Sequence, residues 1–431
     1  MSAIVFSVGF LIFIAHLFAS LFEKTRIPDV LPLVLIGLLM GPVTGLVSPD
    51  FFGDVGDVFI SITLVIILFE GGIGLNFTTI RKSLGGGVKL TVCNFLFIVG
   101  IMMLASVGMG LSLREGMILG AILGGTSSAI VIPMVEKVRL QGDTKTMLVL
   151  ESTFSDVLCI VVTLALIQSV TYHDLRPGAV VGQIIASFFL AAVIGGLFAF
   201  AWSSALSGIR HLENSIFLTP AFVFITYGLT EALGFSGAIS SLAMGVTLGN
   251  IKNIVPNGYH DLRIPIFGGK RIALRPISLN QTEKEFVGEV GFLLKTFFFV
   301  YLGMSILLHN LGIFALGLIA TVLVFSVRIL TVRLSFDRSI PKRDASLAAV
   351  IMPIGLAAAV LATLPAQAGM EKGIFIKELV YATILFSIVA TALLSFLMER
   401  QLIGFPYDSV FASYAPEKEE MCLTKLNGSG S

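Results

Sequence analysis

Glu151-Ser-Thr-Phe-Ser-Asp156 lies inside an apolar run from Met147 to about Val170, and the reading of its two carboxylates decides the fold. The chain has 431 residues, of which 56% are hydrophobic and 13% charged. Soluble domains carry about a quarter charged residues, so the run is a membrane span and not a core helix of a water-soluble protein. An ionisable group inside a span is costly, and it faces a wet cavity or a partner. Counted from the polar loop Arg139–Lys145, Asp156 is about ten residues in, or roughly half of a ~30 Å hydrocarbon core at ~1.5 Å per residue.

Outward from that stretch, runs of about 18–25 apolar residues recur along the chain. They lie near 3–22, 29–47, 57–76, 87–112, 115–136, 147–170, 179–206, 215–234, 237–254, 286–308, 311–334, 345–366 and 374–398. The expected fold is an all-α polytopic membrane protein with about thirteen spans. The first run has no basic leader and no small-residue cleavage site, so it reads as a retained helix. Asn427-Gly-Ser-Gly-Ser431 reads as an expression scar on a short tail, 399–431. The polar stretch 255–285, with Pro256, Pro265 and Pro276, reads as an ordered surface loop or a short amphipathic helix.

Net charge is +1 with no basic or acidic block, which argues against a nucleic-acid partner. Cys93, Cys159 and Cys422 have neither metal nor disulfide spacing. His16 reads as a packed or snorkelling residue. With the carboxyl terminus in the cytoplasm, inter-span Lys and Arg gather on the inner side. Only Arg114, Arg176, Lys372 and Lys377 fall outside. The expectation is a multi-pass cell-membrane protein, amino terminus outside and carboxyl terminus cytoplasmic. Lys295 and Arg328 lie within spans. Lys295 reads as a packing lysine whose stem snorkels toward the inner surface.

Two spans are interrupted near their middles, by Gly124-Gly-Thr-Ser-Ser-Ala-Ile-Val-Ile-Pro133 in the fifth and Met352-Pro-Ile-Gly-Leu356 in the twelfth. Each alone fits a proline kink with packing glycines. Their matched places in two halves suggest inverted six-helix repeats with two discontinuous helices at a binding site. Backbone groups freed at such breaks must face a cavity, because lipid cannot satisfy them.

Glu151 and Asp156 are five residues apart, about 140° around a helix, so they need not share surroundings. Arg328 lies at the same depth as Glu151, and pairing is the least costly way to bury both charges. That leaves Asp156 as the one freely titrating midplane acid. With hydroxyls from Ser152, Ser155 and Thr126, it offers hard oxygen ligands for a small monovalent cation such as Na⁺ (metal set Asp156, Ser152, Ser155 and Thr126). Ser127 completes the candidate cation- and proton-binding set. Cation and proton would compete for one carboxylate, making exchange electroneutral. Glu70 either lines the cytoplasmic entrance or snorkels there.

Glu151-Ser-x-x-Ser-Asp156 resembles the Glu-Ser-x-x-Asn-Asp signature of the monovalent cation/proton antiporters, specifically the electroneutral sodium/proton exchangers of the NhaP/NHE type. Arg328-Ile-Leu-Thr-Val, Gly125-Thr126, Phe69-Glu-Gly-Gly, Ser236 to Gly245 and Gly355 to Val360 also resemble family segments. The resemblance implies an NhaA-like antiporter fold whose two discontinuous helices cross. It implies that Asp156 binds ion and proton, that Glu151 and Arg328 form a structural pair, that Thr126 gives the ion an oxygen, and that Glu70 lies near cytoplasmic access. It further implies a homodimer in membrane lipid with no cofactor. A core domain of 86–171 and 311–398 would move against a dimerisation domain of 1–78 and 179–308. Three departures stand out. Ser155 replaces asparagine, Ser127-Ser128 replaces Asp-Pro, and Ile354 occupies a place where the prokaryotic branch has arginine.

The expected function is Na⁺ (or Li⁺) for H⁺ exchange contributing to pH homeostasis, with K⁺/H⁺ exchange by the same mechanism as the alternative. An organic-anion symporter would need cationic or sodium-cage residues beyond these. A cation channel is the rival from another class, but no Thr-Val-Gly-Tyr-Gly filter is present. An intramembrane enzyme is disfavoured, since His-Glu-x-x-His is missing and Asp156 has no close second catalytic group.

Overall fold

The computed structural model describes residues 9–10, 12–14, 16–17, 30–47, 53–75, 77–171, 177–210, 215–254, 262–265, 271–274, 277–306, 310–400 and 409–415. The first predicted span falls largely outside these residues. So do Cys422 and the suspected expression scar.

The described helices, in chain order, begin with α1 (Val30–Leu38), α2 (Gly53–Gly74), α3 (Phe77–Ser106), α4 (Leu113–Leu123) and α5 (Ser128–Lys137). Next come α6 (Gly142–Thr171), α7 (Pro177–Ile209), α8 (Leu218–Ala232), α9 (Gly237–Gly249), α10 (Ile251–Ile254) and α11 (Gln281–Met304). The last are α12 (Leu311–Ser335), α13 (Lys342–Val350), α14 (Leu356–Leu361), α15 (Leu364–Gln367) and α16 (Gly373–Glu399). Among the described residues, eight stretches are long and apolar enough to cross a membrane, and four shorter apolar helices accompany them. The protein is thus an all-α polytopic membrane protein, with one exception to the helical rule among the described residues. Within 255–285, the described residues Leu262–Pro265 (β1) pair antiparallel with Arg271–Leu274 (β2), strands where one of the two readings of this polar stretch expects an amphipathic helix. Ile264 and Ile272 are register partners across the ladder.

The chain divides into two compact units, 1–49 with 83–171 and 299–431, and 50–82 with 172–298. The first unit contains both interrupted spans. A capping box opens α4: the Ser112 hydroxyl accepts from the Glu115 amide, and the Glu115 carboxylate accepts from the Ser112 amide at 2.8 Å. The helix ends at Gly124 and the chain resumes as α5 at Ser128, carrying Pro133 inside. The twelfth span likewise breaks after Val350 and resumes at Leu356.

Protein buries 78% of the most apolar window of Leu113–Val135, against 39% for Leu311–Ser335. High burial suits a broken span, since backbone freed from a helix must be enclosed by protein or face a water-filled cavity. Beyond α16, Phe411 and Tyr414 pack with Val131 and Met134 of α5, Val332 of α12 and Ala348 of α13. Tyr414 also donates its hydroxyl to the Arg333 carbonyl at 3.2 Å.

In the second unit, α2, α7 and α9 pack through small residues. A side chain at Gly245 would collide with the Phe69 carbonyl, and one at Gly195 with the Ser240 carbonyl. Such contacts let helix backbones approach closely where apolar burial gives no advantage over lipid. Trp202 stacks on Phe222 at 4.7 Å and donates its indole N–H to Thr219.

Candidate functional site

The site forms where α6 passes the two breaks of the first unit. On α6, Glu151 is fully buried, and so is Arg328 on α12. The guanidinium donates to both carboxylate oxygens, Nη1 to Oε1 at 3.0 Å and Nη2 to Oε2 at 3.2 Å. Its Nε donates to the Ala348 carbonyl at 2.9 Å. That carbonyl is one of the last of α13, where no intrahelical partner follows, and a cation near a helix carboxyl end is favourable. Arg328 therefore neutralises Glu151 and closes the end of a broken helix at once.

One and a half turns further along α6, Asp156 meets the start of α5. The Ser128 hydroxyl donates to Asp156 Oδ2 at 2.7 Å, and the Ser128 amide approaches the same oxygen at 3.4 Å. Asp156 Oδ1 has no hydrogen-bond partner among the described residues, and the side chain is only partly buried. The positive end of the α5 dipole faces this carboxylate. Close by, the Thr126 hydroxyl is buried without a hydrogen-bond partner among the described residues.

The two breaks are joined directly, since the Ser127 amide donates to the Pro353 carbonyl at 2.8 Å. A Cβ at Gly355 would collide with the Ser127 side chain, so glycine allows this crossing. Asn94 of α3 braces both breaks. Its amide lies 3.5 Å from the Gly124 carbonyl and 3.7 Å from Met352 Sδ, while its oxygen accepts from Thr331 at 3.1 Å. The amides of Ile354 and Met352 donate to Ser387 and Thr391 of α16.

The geometry invites comparison with known proteins. A family model described as sodium/hydrogen exchanger, transmembrane, matches residues 10–400. The chain belongs to the sodium/hydrogen exchanger family. Among curated relatives, Na(+)/H(+) antiporter ApNhaP of Aphanothece halophytica is 26% identical over 306 residues, 67% of this chain and 51% of the relative. Na(+)/H(+) antiporter 1 of Methanocaldococcus jannaschii is 28% identical over 36% of this chain and 37% of its own length. K(+)/H(+) antiporter NhaP of Alkalimonas amylolytica is 26% identical over 60% and 45%. The chain thus spans about half or less of the length of these curated relatives. Among solved structures, the sodium proton antiporter MjNhaP1 from Methanocaldococcus jannaschii at pH 8 aligns with a TM-score of 0.73 at 22% identity. That alignment covers 90% of this chain and 98% of the other, a likeness of fold.

Within this sodium/hydrogen exchanger fold, the candidate residues separate into groups. Ser155 and Ser152 hold backbone. Ser155 Oγ accepts from the Thr126 amide at 3.1 Å and donates to the Ser152 carbonyl at 3.0 Å, while Ser152 Oγ donates to the Val149 carbonyl at 3.0 Å. Thr126 and Ser127 line the first break. Glu70, on α2, belongs to the second unit. There Lys295 of α11 reaches it, Nζ to Oε2 at 3.7 Å, an ion pair absent from the snorkelling reading of Lys295. Ser128 and Asn94 were absent from the candidate set. The substitution of Ser128 for a family proline was the signal for the first. A polar asparagine inside an otherwise apolar span was the signal for the second.

Proposed function

We propose that the protein exchanges Na⁺ or Li⁺ for H⁺ across the membrane, one for one, with Asp156 holding either ion in turn. The reading rests above all on Asp156, an acid inside a span whose Oδ2 is held by α5 and whose Oδ1 has no partner among the described residues. Family membership and the Na(+)/H(+) antiporters among the relatives support it. Glu151 and Arg328 cancel each other's charge. Asp156 is neutral with either a proton or one monovalent cation aboard, so each half-cycle carries no net charge. Competition for one carboxylate couples the two flows when the site opens alternately to the two sides. The transported ions are substrates, and the reading calls for no cofactor and no catalytic group.

In this reading 86–171 and 311–398 form the moving core, and 1–78 and 179–308 the dimerisation domain of a homodimer. The carboxyl terminus is cytoplasmic, the amino terminus is outside, and Glu70 lies on the cytoplasmic access route. K⁺/H⁺ exchange is the second reading, favoured by the likeness to K(+)/H(+) antiporter NhaP. The deciding experiment follows dissipation of a pH gradient in proteoliposomes on adding Na⁺, Li⁺ or K⁺ at several pH values. Saturable Na⁺- or Li⁺-driven proton movement, unchanged when membrane potential is clamped, is expected. A response to K⁺ alone moves the protein to the second reading. Unsaturable, potential-driven flux makes it a channel and ends the proposal.

A further inference from the structure

Both donors that hold Asp156 come from one residue, Ser128, the first residue of α5. A proline there, as in the family pattern of the sequence analysis, would offer neither, having no hydroxyl and no N–H. The two donors differ in what they can do. An amide only donates, so it suits the bare carboxylate alone. A hydroxyl has one hydrogen and two lone pairs. It can donate to an ionised Asp156, accept from a protonated one, or turn a lone pair to a cation resting on the carboxylate. Two residues before Ser128, the Thr126 hydroxyl is buried with no hydrogen-bond partner among the described residues, a further oxygen on the same break. Ser152 and Ser155 give their hydrogens to backbone carbonyls, and Ser155 also accepts from the Thr126 amide, so neither is directed at Asp156 by a hydrogen bond as Ser128 is.

From this geometry we infer that Ser128 sets cation affinity and selectivity, its hydroxyl serving as an oxygen ligand to a small monovalent cation on Asp156. The inference rests on the exchange reading above for the identity of the cargo. It does not depend on exchange for its test.

The test uses the full chain, purified and reconstituted, as wild type, Ser128→Ala, Ser128→Thr and Ser128→Pro. Proline is well tolerated at the first position of a helix, so the last variant keeps α5 while removing both donors. Two readouts are taken. One is the apparent KM and Vmax for Na⁺, Li⁺ and K⁺ from pH-gradient dissipation. The other is the rise in melting temperature caused by each cation, which reports binding without transport.

Ser128→Ala is expected to raise the apparent KM for the preferred cation about tenfold, the equivalent of ~1.4 kcal/mol. The change in KM exceeds any change in Vmax, and the preference among the three cations narrows. Ser128→Thr restores KM, and Ser128→Pro matches Ser128→Ala, because the 3.4 Å amide contact adds little. A KM within twofold of wild type in Ser128→Ala or Ser128→Pro, a loss of Vmax at unchanged KM, or failure of threonine to rescue overturns the inference. If wild type moves no protons, the exchange reading falls and the melting shift decides for Ser128. A cation-dependent rise that shrinks in Ser128→Ala supports the ligand role, and its absence or persistence refutes it.

Discussion

At Glu151 both carboxylate oxygens are met by one guanidinium, and no part of either side chain reaches solvent. At Asp156, on the same helix, one oxygen is tied to a serine and the other has no partner among the described residues. The surroundings of the first leave little freedom, because a buried ion pair with its hydrogen bonds filled is costly to disturb. Those of the second hold the carboxylate by one oxygen only, which is what the proposed change of occupant requires. Two acids of similar chemistry thus take different work from what lies across from them: α12 and the end of α13 for one, the start of α5 for the other.

The comparison breaks most visibly if Asp156→Asn still exchanges ions. Asparagine keeps the shape and the contact with Ser128 but cannot hold proton and cation alternately. Complete loss of pH-gradient dissipation is expected, with the melting temperature near wild type. Next in size is Arg328→Ala, which strands Glu151 and the Ala348 carbonyl together. Removing one partner of a buried pair costs about 3–5 kcal/mol, read as an early melting transition in detergent. Arg328→Lys recovers less than half of it, since a point charge cannot serve two oxygens and a carbonyl in one plane. Replacing both partners by Glu151→Leu and Arg328→Met is expected to be milder than either single loss. Equal stability of Arg328→Ala and Asp156→Asn would erase the distinction between the two acids.

The sequence carried the spans and the two breaks plainly, because lipid imposes length and composition on a span and penalises every unpaired backbone group. It also carried the equal depth of Glu151 and Arg328. It said nothing of Ala348, whose role arises only because α13 stops there. Ser152 entered the candidate set because residues four apart share a helix face. Its hydroxyl hydrogen goes to a carbonyl of its own helix, a local bond that serines commonly make. Ser128 could not be placed beside Asp156 from sequence, since the direction of the first turn of α5 depends on where α6 passes. The Glu70–Lys295 pair joins α2 to α11, and depth counting favoured a lone snorkelling lysine there.

A smaller effect sharpens the occupancy side of the comparison. If proton and cation share Asp156, lowering pH raises the apparent KM for the cation without changing Vmax at saturation. The limit for one proton displacing one cation is about tenfold per pH unit. A KM flat across the active pH range would mean that the two ions use separate places.

The smallest expected effect concerns the far side of the second break, beyond the α13 end that Arg328 closes, where a neutral hydroxyl holds the freed amide. The Ile354 amide donates to the Ser387 hydroxyl at 3.0 Å, and that hydroxyl donates in turn to the Ile384 carbonyl at 2.8 Å. Ser387→Ala leaves the amide unpaired among fully buried neighbours, at a cost of about 1–2 kcal/mol. The Ile384 carbonyl keeps its place in α16, so the loss is confined to one group. Ser387→Thr retains the hydroxyl and separates loss of the bond from a change in packing. A melting shift in Ser387→Ala well below that of Arg328→Ala is expected, because a neutral hydroxyl holds one amide where Arg328 holds a charge and a helix end. If the two shifts match, the hydroxyl-bound break is as tightly held as the charged pair, and the contrast between fixed and exchangeable polar groups fails in this unit.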